Sequence, residues 1–258
     1  MPHGIDIEEV KRIACAAGAA VLEVYGTEFS VETKDDESPL TEADRRSNVV
    51  ILEGLARLDP AIPVISEEAR TLPYEERCGW ERFWLVDPLD GTKEFVKRNG
   101  EFTVNIALVR GGTPVLGVVY QPVGGHLHWA VEGGGAWKSS EGGTPRRLGG
   151  GAHYSTKDEV VVVASRSHLT DEVRGFVAGL ESQGKRVEFL SAGSSLKLCL
   201  VAEGAADVYP RLGPTMEWDT AAAHAVAIEA GRRVVEYGTG EPLRYNKADL
   251  LNPHFLVE

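Results

Sequence analysis

The stretch WLVDPLDGTKEF, residues 84–95, decides the fold of this chain. Apolar residues Phe83 to Val86 predict a buried β-strand, and the turn Asp87-Pro88-Leu89-Asp90-Gly91-Thr92 follows it at once. Because Pro88 fixes its own φ and pushes Asp87 into an extended conformation, the turn can direct both carboxylates and a carbonyl into one space. Two carboxylates this close raise each other's pKa unless a cation neutralises them. Oxygen-only donors of this kind suit magnesium.

The residues after the turn indicate an anion site. Gly91 permits close approach of the backbone, and Thr92 to Phe95 can open a helix whose free N–H groups point at a phosphate. The simpler alternative is a surface turn, because Asp, Pro and Gly dominate turns for conformational reasons alone. The apolar strand favours the functional interpretation, since a plain turn does not need one.

Composition limits the classes of partner and location. The chain has 258 residues and 43% hydrophobic content, enough for one large domain or two smaller ones packed together. A net charge of -12 disfavours a nucleic-acid polymer or an anionic membrane as partner. No apolar run reaches the ~18 residues of a membrane span, and the N-terminus is acidic where a secretory signal is basic. We therefore expect a cytoplasmic protein, with Cys15, Cys78 and Cys199 as reduced thiols.

The first part of the chain reads as an α+β unit, residues 1–150, whose antiparallel sheet carries most of the acidic residues of interest. Two helices are predicted, from Asp6 to Tyr25 and from Thr41 to Leu58, separated by a charged loop. Thr41 and Asp44 match a capping box at the start of the second helix. The predicted strands follow at residues 62–66, 83–86, on both sides of Gly111-Gly112, and within 126–139.

A Gly-, Arg- and Pro-rich segment, residues 142–151, predicts a domain boundary. Beyond it strands and helices alternate, which is typical of an α/β layer and predicts a second domain at residues 151–258. The predicted strands are 159–167, 186–193, 206–212 and 232–237, and the predicted helices are 170–182, 194–203 and 219–230.

Four further acidic residues can join the turn. Glu67 and Glu68 follow the apolar residues 62–65, Asp219 lies where an alanine-rich helix begins, and Asp44 belongs to the capping box. Each has a simpler explanation taken alone, as a solvated surface charge or a helix cap. Their joint pattern with the turn is what points to a metal site.

DPLDGT at residues 87–92, with SEE at 66–68 and WDTAA at 218–222, resembles the magnesium-dependent, lithium-sensitive phosphatase superfamily that contains inositol monophosphatase and fructose 1,6-bisphosphatase. Segments 84–109 and 193–226 are similar to the bacterial CysQ group, the 3'(2'),5'-bisphosphate nucleotidases. The resemblance extends from the first helix to LLNPHF, residues 250–255. It implies a layered αβαβα sandwich with α+β and α/β parts.

The resemblance also implies roles for individual residues. The implied metal ligands are Glu67, Asp87, the carbonyl of Leu89, Asp90 and Asp219. Thr92 and Asp44 would form a hydrogen-bonded pair that, with Glu67, takes the proton of the attacking water. The implied substrate contacts are Leu89, Asp90, Gly91, Thr92, His168, Gly193, Ser194, Lys197, Arg211 and Asp219.

The implied reaction is hydrolysis of the 3'-phosphate of 3'-phosphoadenosine 5'-phosphate (PAP) to AMP and phosphate, with phosphoadenosine phosphosulfate as a further candidate substrate. Two or more Mg2+ ions, or Mn2+ in their place, would lie about 4 Å apart and assist in-line attack by water without a phosphoenzyme. The resemblance implies a role in clearing this by-product of sulfate activation. Some members of the group associate with the inner face of the inner membrane.

Three alternatives remain at this stage. An inositol monophosphatase or another sugar phosphatase would use the same chemistry on a different substrate. An aspartyl-phosphate phosphatase is disfavoured, because its two aspartates lie two positions apart and here the interval is three, with Pro88 between them. A nucleotide sensor without turnover is disfavoured because binding alone does not require Thr92 and Asp44. The charged stretch 69–82 is a candidate mobile flap, and the oligomeric state is open.

Overall fold

The computed structural model describes residues 4–33, 39–149, 151–164 and 170–258. Its helices are α1 Ile7–Tyr25, α2 Glu42–Leu58, α3 Tyr74–Arg77, α4 Thr92–Val96, α5 Asp171–Ser182, α6 Leu196–Ala202 and α7 Glu217–Glu229. Its strands are β1 Val31–Thr33, β2 Pro39–Thr41, β3 Val64–Ser66, β4 Arg82–Asp90, β5 Thr103–Arg110, β6 Thr113–Gln121, β7 His126–Val131, β8 Gly135–Ser139, β9 Arg146–Arg147, β10 Glu159–Ala164, β11 Arg186–Ser191, β12 Tyr209–Arg211, β13 Val234–Glu236 and β14 Phe255–Val257.

A seven-stranded sheet in the order β3-β4-β5-β6-β7-β8-β9 forms the first β layer. All its neighbouring strands are antiparallel except β3 and β4, which run parallel, so that both of these strands end at the same edge. The segments that follow β3 and β4 therefore lie side by side. These are the segments that carry Glu67 and the acidic turn.

Strand β4 is buried on both faces, which explains its unbroken apolar run. Trp84 and Val86 pack in one core cluster with residues of α1 and α2, whereas Phe83 and Leu85 pack in another with residues of α7. Because side chains alternate along a strand, Asp87 continues the face of Phe83 and Leu85. The end of β4 thus presents its first aspartate toward α7.

A β-bulge brings both aspartates of β4 to the same face. Asp87 lies opposite Asn105 and Asp90 lies opposite Thr103, so three steps along β4 correspond to two steps along β5. Without this extra residue, positions three apart on a strand would point to opposite faces. The strand is therefore longer than the predicted 83–86, because the turn itself continues the pairing with β5.

Helix α7 approaches the sheet closely because small residues line the contact. A Cβ atom added to Gly117 of β6 would lie 2.1 Å from the backbone oxygen of Ala222 in α7. The alanine-rich sequence of α7 and this glycine together allow backbone-to-backbone packing. The close packing holds the N-terminus of α7, and with it Asp219, near the end of β4.

The C-terminal strands form the second β layer. Strands β10 and β11 are parallel, β12, β14 and β13 are antiparallel, and a bridge between Val162 and Val208 joins the two groups. Helices α6 and α7 pack between this layer and the seven-stranded sheet, and α5 packs against Val160 and Val162 on the outer face. The order of layers is α1/α2, sheet, α6/α7, strands, α5, so the predicted αβαβα sandwich is confirmed.

Several elements differ from those predicted. The predicted charged loop contains the antiparallel pair β1 and β2, and β14 was not predicted. Helix α6 begins at Leu196 rather than 194, and α7 begins at Glu217 rather than Asp219. Within the described residues, no helix is long and apolar enough to cross a membrane. The division at residue 150 stays a prediction.

The charged stretch 69–82 is anchored at its middle. The side chain of Arg77 is buried and donates hydrogen bonds to the backbone oxygens of Leu72 and Ala248 and to Oδ1 of Asn246. Asn246 returns a hydrogen bond from Nδ2 to the backbone oxygen of Arg77. The stretch is thus attached to the C-terminal part of the chain.

Candidate active site

Three carboxylates from distant parts of the chain meet at the edge where β3 and β4 end. Glu67, Asp87 and Asp219 each offer an oxygen, and these oxygens lie within 4.8 Å of one another. Glu67 follows β3, where its backbone N–H donates to the backbone oxygen of Val86 at 3.2 Å. Asp87 belongs to β4, and Asp219 lies in the first turn of α7. Each is therefore held by regular secondary structure.

Local hydrogen bonds orient two of these carboxylates. Oδ1 of Asp87 accepts from the backbone N–H of Leu89 at 3.0 Å, and Oδ2 of Asp219 accepts from the backbone N–H of Met216 at 2.9 Å. Each of these bonds uses one oxygen of its carboxylate. Asp219 thus caps its helix while one of its oxygens lies within the acidic cluster, so the cap and the metal interpretation are compatible.

Burial and mutual repulsion disfavour the charged forms of these acids. Burial raises the pKa of Asp87 well above its usual value, and the nearby charges of Glu67, Asp90 and Asp219 raise it further. The pKa of Asp219 is raised in the same way by burial and by Asp90. A divalent cation among these oxygens would remove both costs. The donor set is all oxygen, and it fits the ligand preference of Mg2+.

Asp90 lies beside this group rather than within the 4.8 Å cluster. Its Oδ2 accepts from the backbone N–H of Ser195 at 2.5 Å and from Nδ2 of Asn105 at 3.4 Å. Burial raises the pKa of Asp90, the charge of Lys197 lowers it, and the result is about 6. Asp90 therefore stands between the carboxylate cluster and a buried cation.

Leu89 and Gly91 shape the backbone of the turn. The side chain of Leu89 packs with Phe95 and Phe102, and its carbonyl oxygen lies 3.3 Å from Oγ1 of Thr92. Gly91 has a φ of 90°, and an added Cβ would lie 3.2 Å from the backbone oxygen of Glu101. Only glycine combines this left-handed conformation with the close approach. Both residues line the cavity above the acids.

Thr92 and Asp44 lie within hydrogen-bonding distance. Oγ1 of Thr92 is 3.4 Å from Oδ1 of Asp44, while Oδ2 of Asp44 accepts from the N–H and Oγ1 of Thr41 at 2.8 and 2.7 Å. The capping box and the proposed pair therefore coexist in one carboxylate. Because Asp44 is buried at the start of α2, its free rotation is restricted and it presents Oδ1 to Thr92.

Two cations, the buried Lys197 and the half-buried Arg211, lie at the other end of the groove. The ammonium of Lys197 donates to the backbone oxygen of Ser194 at 2.7 Å and is 7% exposed. Burial lowers the pKa of Lys197 to about 8. Arg211 donates through Nη2 to the backbone oxygen of Pro214 at 2.6 Å, and its Nε is buried without a partner in the part of the chain that is described.

One continuous groove joins the acidic end to the cationic end. Two cavities meet there, one above the acids Glu67 and Asp87 and one that contains Lys197 and Arg211. Residues that line both cavities are Asp90, Gly91, Lys93, Glu94, Thr215 and Asp219. Gly193 and Ser194 line the cationic cavity, whereas the predicted contact His168 lies outside the described residues.

Sequence reasoning missed the polar group that supports Asp90. Oγ of Ser195 lies 2.9 Å from Oδ1 of Asn105 and 2.8 Å from Oγ1 of Thr103. Thr103 and Asn105 are two residues apart on the buried strand β5, so they share one face. Polar residues at alternate positions of an apolar strand indicate a polar site on one face of the sheet, because buried polar groups need hydrogen-bond partners. Thr103 and Asn105 mark the face beneath Asp90 in this way.

The chain matches the model of the inositol monophosphatase family over residues 6–256. It is 49% identical to the 3'(2'),5'-bisphosphate nucleotidase CysQ of Salmonella typhimurium, over 97% of this chain and 98% of the relative, and 48% identical to CysQ of Escherichia coli K12 over the same shares. A crystal structure of CysQ from Bacteroides thetaiotaomicron, a bacterial member of the family, superposes with a TM-score of 0.83 at 49% identity, covering 95% of this chain and 94% of that one.

Proposed function

The chain belongs to the inositol monophosphatase family, and we propose that it is a metal-dependent 3'(2'),5'-bisphosphate nucleotidase that converts PAP to AMP and phosphate. The observation that carries this proposal is the single groove with clustered carboxylates at one end and the cations Lys197 and Arg211 at the other. Relatives named for this activity align with nearly the whole chain.

We propose that Glu67, Asp87, the carbonyl of Leu89, Asp90 and Asp219 hold two or more Mg2+ ions, with Mn2+ as an alternative. Their all-oxygen donor set and the raised pKa values of the buried aspartates support this assignment. When bound, such ions supply positive charge to the phosphoryl group and the attacking water. Gly91 and Thr92 would receive the phosphoryl oxygens at the start of α4.

The proton acceptors in this scheme are the chain's own residues. The hydroxyl of Thr92 donates toward Asp44, which leaves an oxygen lone pair of Thr92 to accept a proton from water. Glu67 is a second acceptor at the acidic end. The bond between the water oxygen and phosphorus forms, in line, as the bond from phosphorus to the 3'-oxygen breaks. One water proton passes to Glu67 or to Thr92, which hands its own hydroxyl proton to Asp44, and the departing 3'-oxygen takes up a proton from solvent.

The cationic end favours a substrate with two phosphates. The ammonium of Lys197 is buried beside the site, and a buried charge is costly unless an anion pairs with it. We propose that Lys197 and Arg211, which line one cavity, receive the second phosphate of a bisphosphate. Gly193 and Ser194 line the same cavity. An inositol monophosphate has one phosphate and would leave this end unused.

A two-substrate assay tests the proposal. With Mg2+ present, we expect kcat/KM for PAP to exceed that for inositol 1-phosphate, and we expect lithium to inhibit phosphate release. Faster turnover of the inositol ester would instead support an inositol monophosphatase. Phosphoadenosine phosphosulfate, assayed in parallel, tests the further candidate substrate.

A further inference from the structure

Glu217 is a fully buried carboxylate at the start of the helix that carries Asp219. Its side chain is 0% exposed. Oε2 accepts from the backbone N–H of Asn246 at 2.6 Å, and Oε1 accepts from the backbone N–H of Lys247 at 3.0 Å. The ammonium of Lys247 is the third donor to this carboxylate, and it donates to Oε1 at 2.5 Å. Neither the family resemblance nor the proposed reaction assigns a role to this residue.

The same helix end is attached to the C-terminal segment at several other points. The backbone N–H of Glu217 donates to the backbone oxygen of Leu250 at 2.9 Å. Nδ2 of Asn252 donates to the backbone oxygen of Met216 at 2.8 Å and lies 3.1 Å from Oγ1 of Thr220. Met216 is also the residue whose N–H binds Asp219. These contacts hold the first turn of α7 against the C-terminal segment.

A carboxylate is a costly choice for this position. An ion taken from water loses its hydration, and even a well-paired buried charge often contributes less to stability than an apolar residue of the same size. Its advantage is geometric, because each oxygen binds one N–H of a turn and so fixes the helix end in one orientation. The first turn of a helix favours a negative charge, which offsets part of the cost.

We propose that Glu217 is a positioning residue, which holds the N-terminus of α7 so that Asp219 meets Glu67 and Asp87 at metal-binding distance. The inference rests on the proposed function, because it assumes that these three acids bind the metal. It adds a residue that touches neither metal nor substrate.

Asn246 extends this arrangement to the charged stretch 69–82. Its backbone has a φ of 66°, and the same residue exchanges two side-chain hydrogen bonds with Arg77. Arg77, Asn246 and Glu217 therefore form a continuous chain of hydrogen bonds from that stretch to α7. Asn246 thus links Glu217 to Arg77, which also donates to the backbone oxygen of Ala248.

The test compares Mn2+ binding with folding stability in three variants. Glu217→Gln places an amide NH2 against a backbone N–H, because both carboxylate oxygens accept from the turn. Lys247→Met removes the ammonium and leaves both backbone donors in place. Asp207→Asn is the matched control: Asp207 is also buried, and it accepts from Lys157 and from the backbone N–H of Val161, neither of which lines the groove.

We expect Glu217→Gln to weaken Mn2+ binding, measured by calorimetry, about tenfold. Lys247→Met should weaken it less, and Asp207→Asn should lower the melting temperature without changing Mn2+ affinity. Unchanged Mn2+ affinity in Glu217→Gln, or an equal loss in Asp207→Asn at equal destabilisation, would overturn the inference. Absence of Mn2+ binding by the unmodified protein would instead refute the proposed metal site, so the two failures are distinguishable.

Discussion

The two ends of the groove are built in different ways. The acidic end is held by the ends of two strands and the first turn of helix α7, and its carboxylates repel one another. The cationic end is built from Ser194 before α6, Lys197 within it, and Arg211 at the end of β12. The acidic end thus gathers carboxylates that repel one another, whereas the cationic end places Lys197 and Arg211 in a second cavity. Asp90 belongs to both ends, since it faces Glu67 and Lys197.

The largest effect should follow from Asp90→Asn. The amide keeps an oxygen that can accept from Ser195, so the fold should be retained, but the charge needed for metal binding is lost. We expect kcat to fall by about three orders of magnitude. Steady-state kinetics with PAP measures the loss, and circular dichroism checks the fold. Near-normal turnover would show that the acidic end does not hold the catalytic metal.

Thr92 tests the proton-accepting pair at the acidic end. Thr92→Val keeps the shape and removes the hydroxyl, so we expect kcat to fall about a hundredfold with little change in KM. Thr92→Ser keeps the hydroxyl and should retain most activity. If the valine and serine variants behaved alike, the hydroxyl would have no part in proton transfer.

Lys197 tests the cationic end alone. Lys197→Met should raise KM for PAP about 10- to 100-fold, as expected for the loss of a charged hydrogen bond. It should affect adenosine 3'-monophosphate, which lacks the second phosphate, much less. An equal effect on both substrates would place Lys197 in the chemistry and remove the distinction between the two ends.

The pH dependence of the same lysine sharpens this point. The pKa of Lys197 in the free protein is lowered to about 8, so the ammonium is charged below that pH and neutral above it. KM for PAP should therefore rise as the pH passes from 7 to 9, and KM for the monophosphate should not. Parallel profiles for the two substrates would contradict the assignment.

The smallest effect on activity is expected from substitution of Glu203, the C-cap residue of helix α6. Burial alone would raise its pKa, but hydrogen bonds from His128 and Lys138 outweigh burial and lower the pKa to about 2. Because the folded pKa lies below the unfolded one, this stabilisation is present above about pH 4.5 and lost as the pH falls toward 2.

Glu203→Gln should therefore cost on the order of 1 to 2 kcal/mol at neutral pH and flatten the acid limb of the stability curve. Thermal melts between pH 2 and 7 measure the loss of stability at neutral pH and the shape of the acid limb. The kcat per folded molecule should stay unchanged. A large loss of kcat in the folded variant would show that Glu203 and its hydrogen bonds also affect the cationic end of the groove.

Local patterns predicted the parts of the molecule that depend on neighbouring residues. The apolar run before Asp87 gave β4, the spacing of Thr41 and Asp44 gave the start of α2, and the alanine-rich run after Asp219 gave α7. These elements are long or capped, so the sequence signal is strong.

Contacts between distant segments could not be predicted in this way. The bond from Ser195 to Asp90 joins residues 105 positions apart, and the bulge in β4 appears only in its register with β5. Strands of three residues, such as β1, β2 and β14, are too short for a periodic pattern. The same limit applies to Glu217, whose partners Asn246 and Lys247 lie 29 and 30 positions further along the chain, in no recognisable motif.

The most direct test of the central claim is anomalous diffraction from crystals soaked in Mn2+. We expect metal peaks in contact with carboxylate oxygens of Glu67, Asp87, Asp90 and Asp219. Crystals that contain bound Mn2+ elsewhere, with these four side chains apart and without a metal between them, would contradict it.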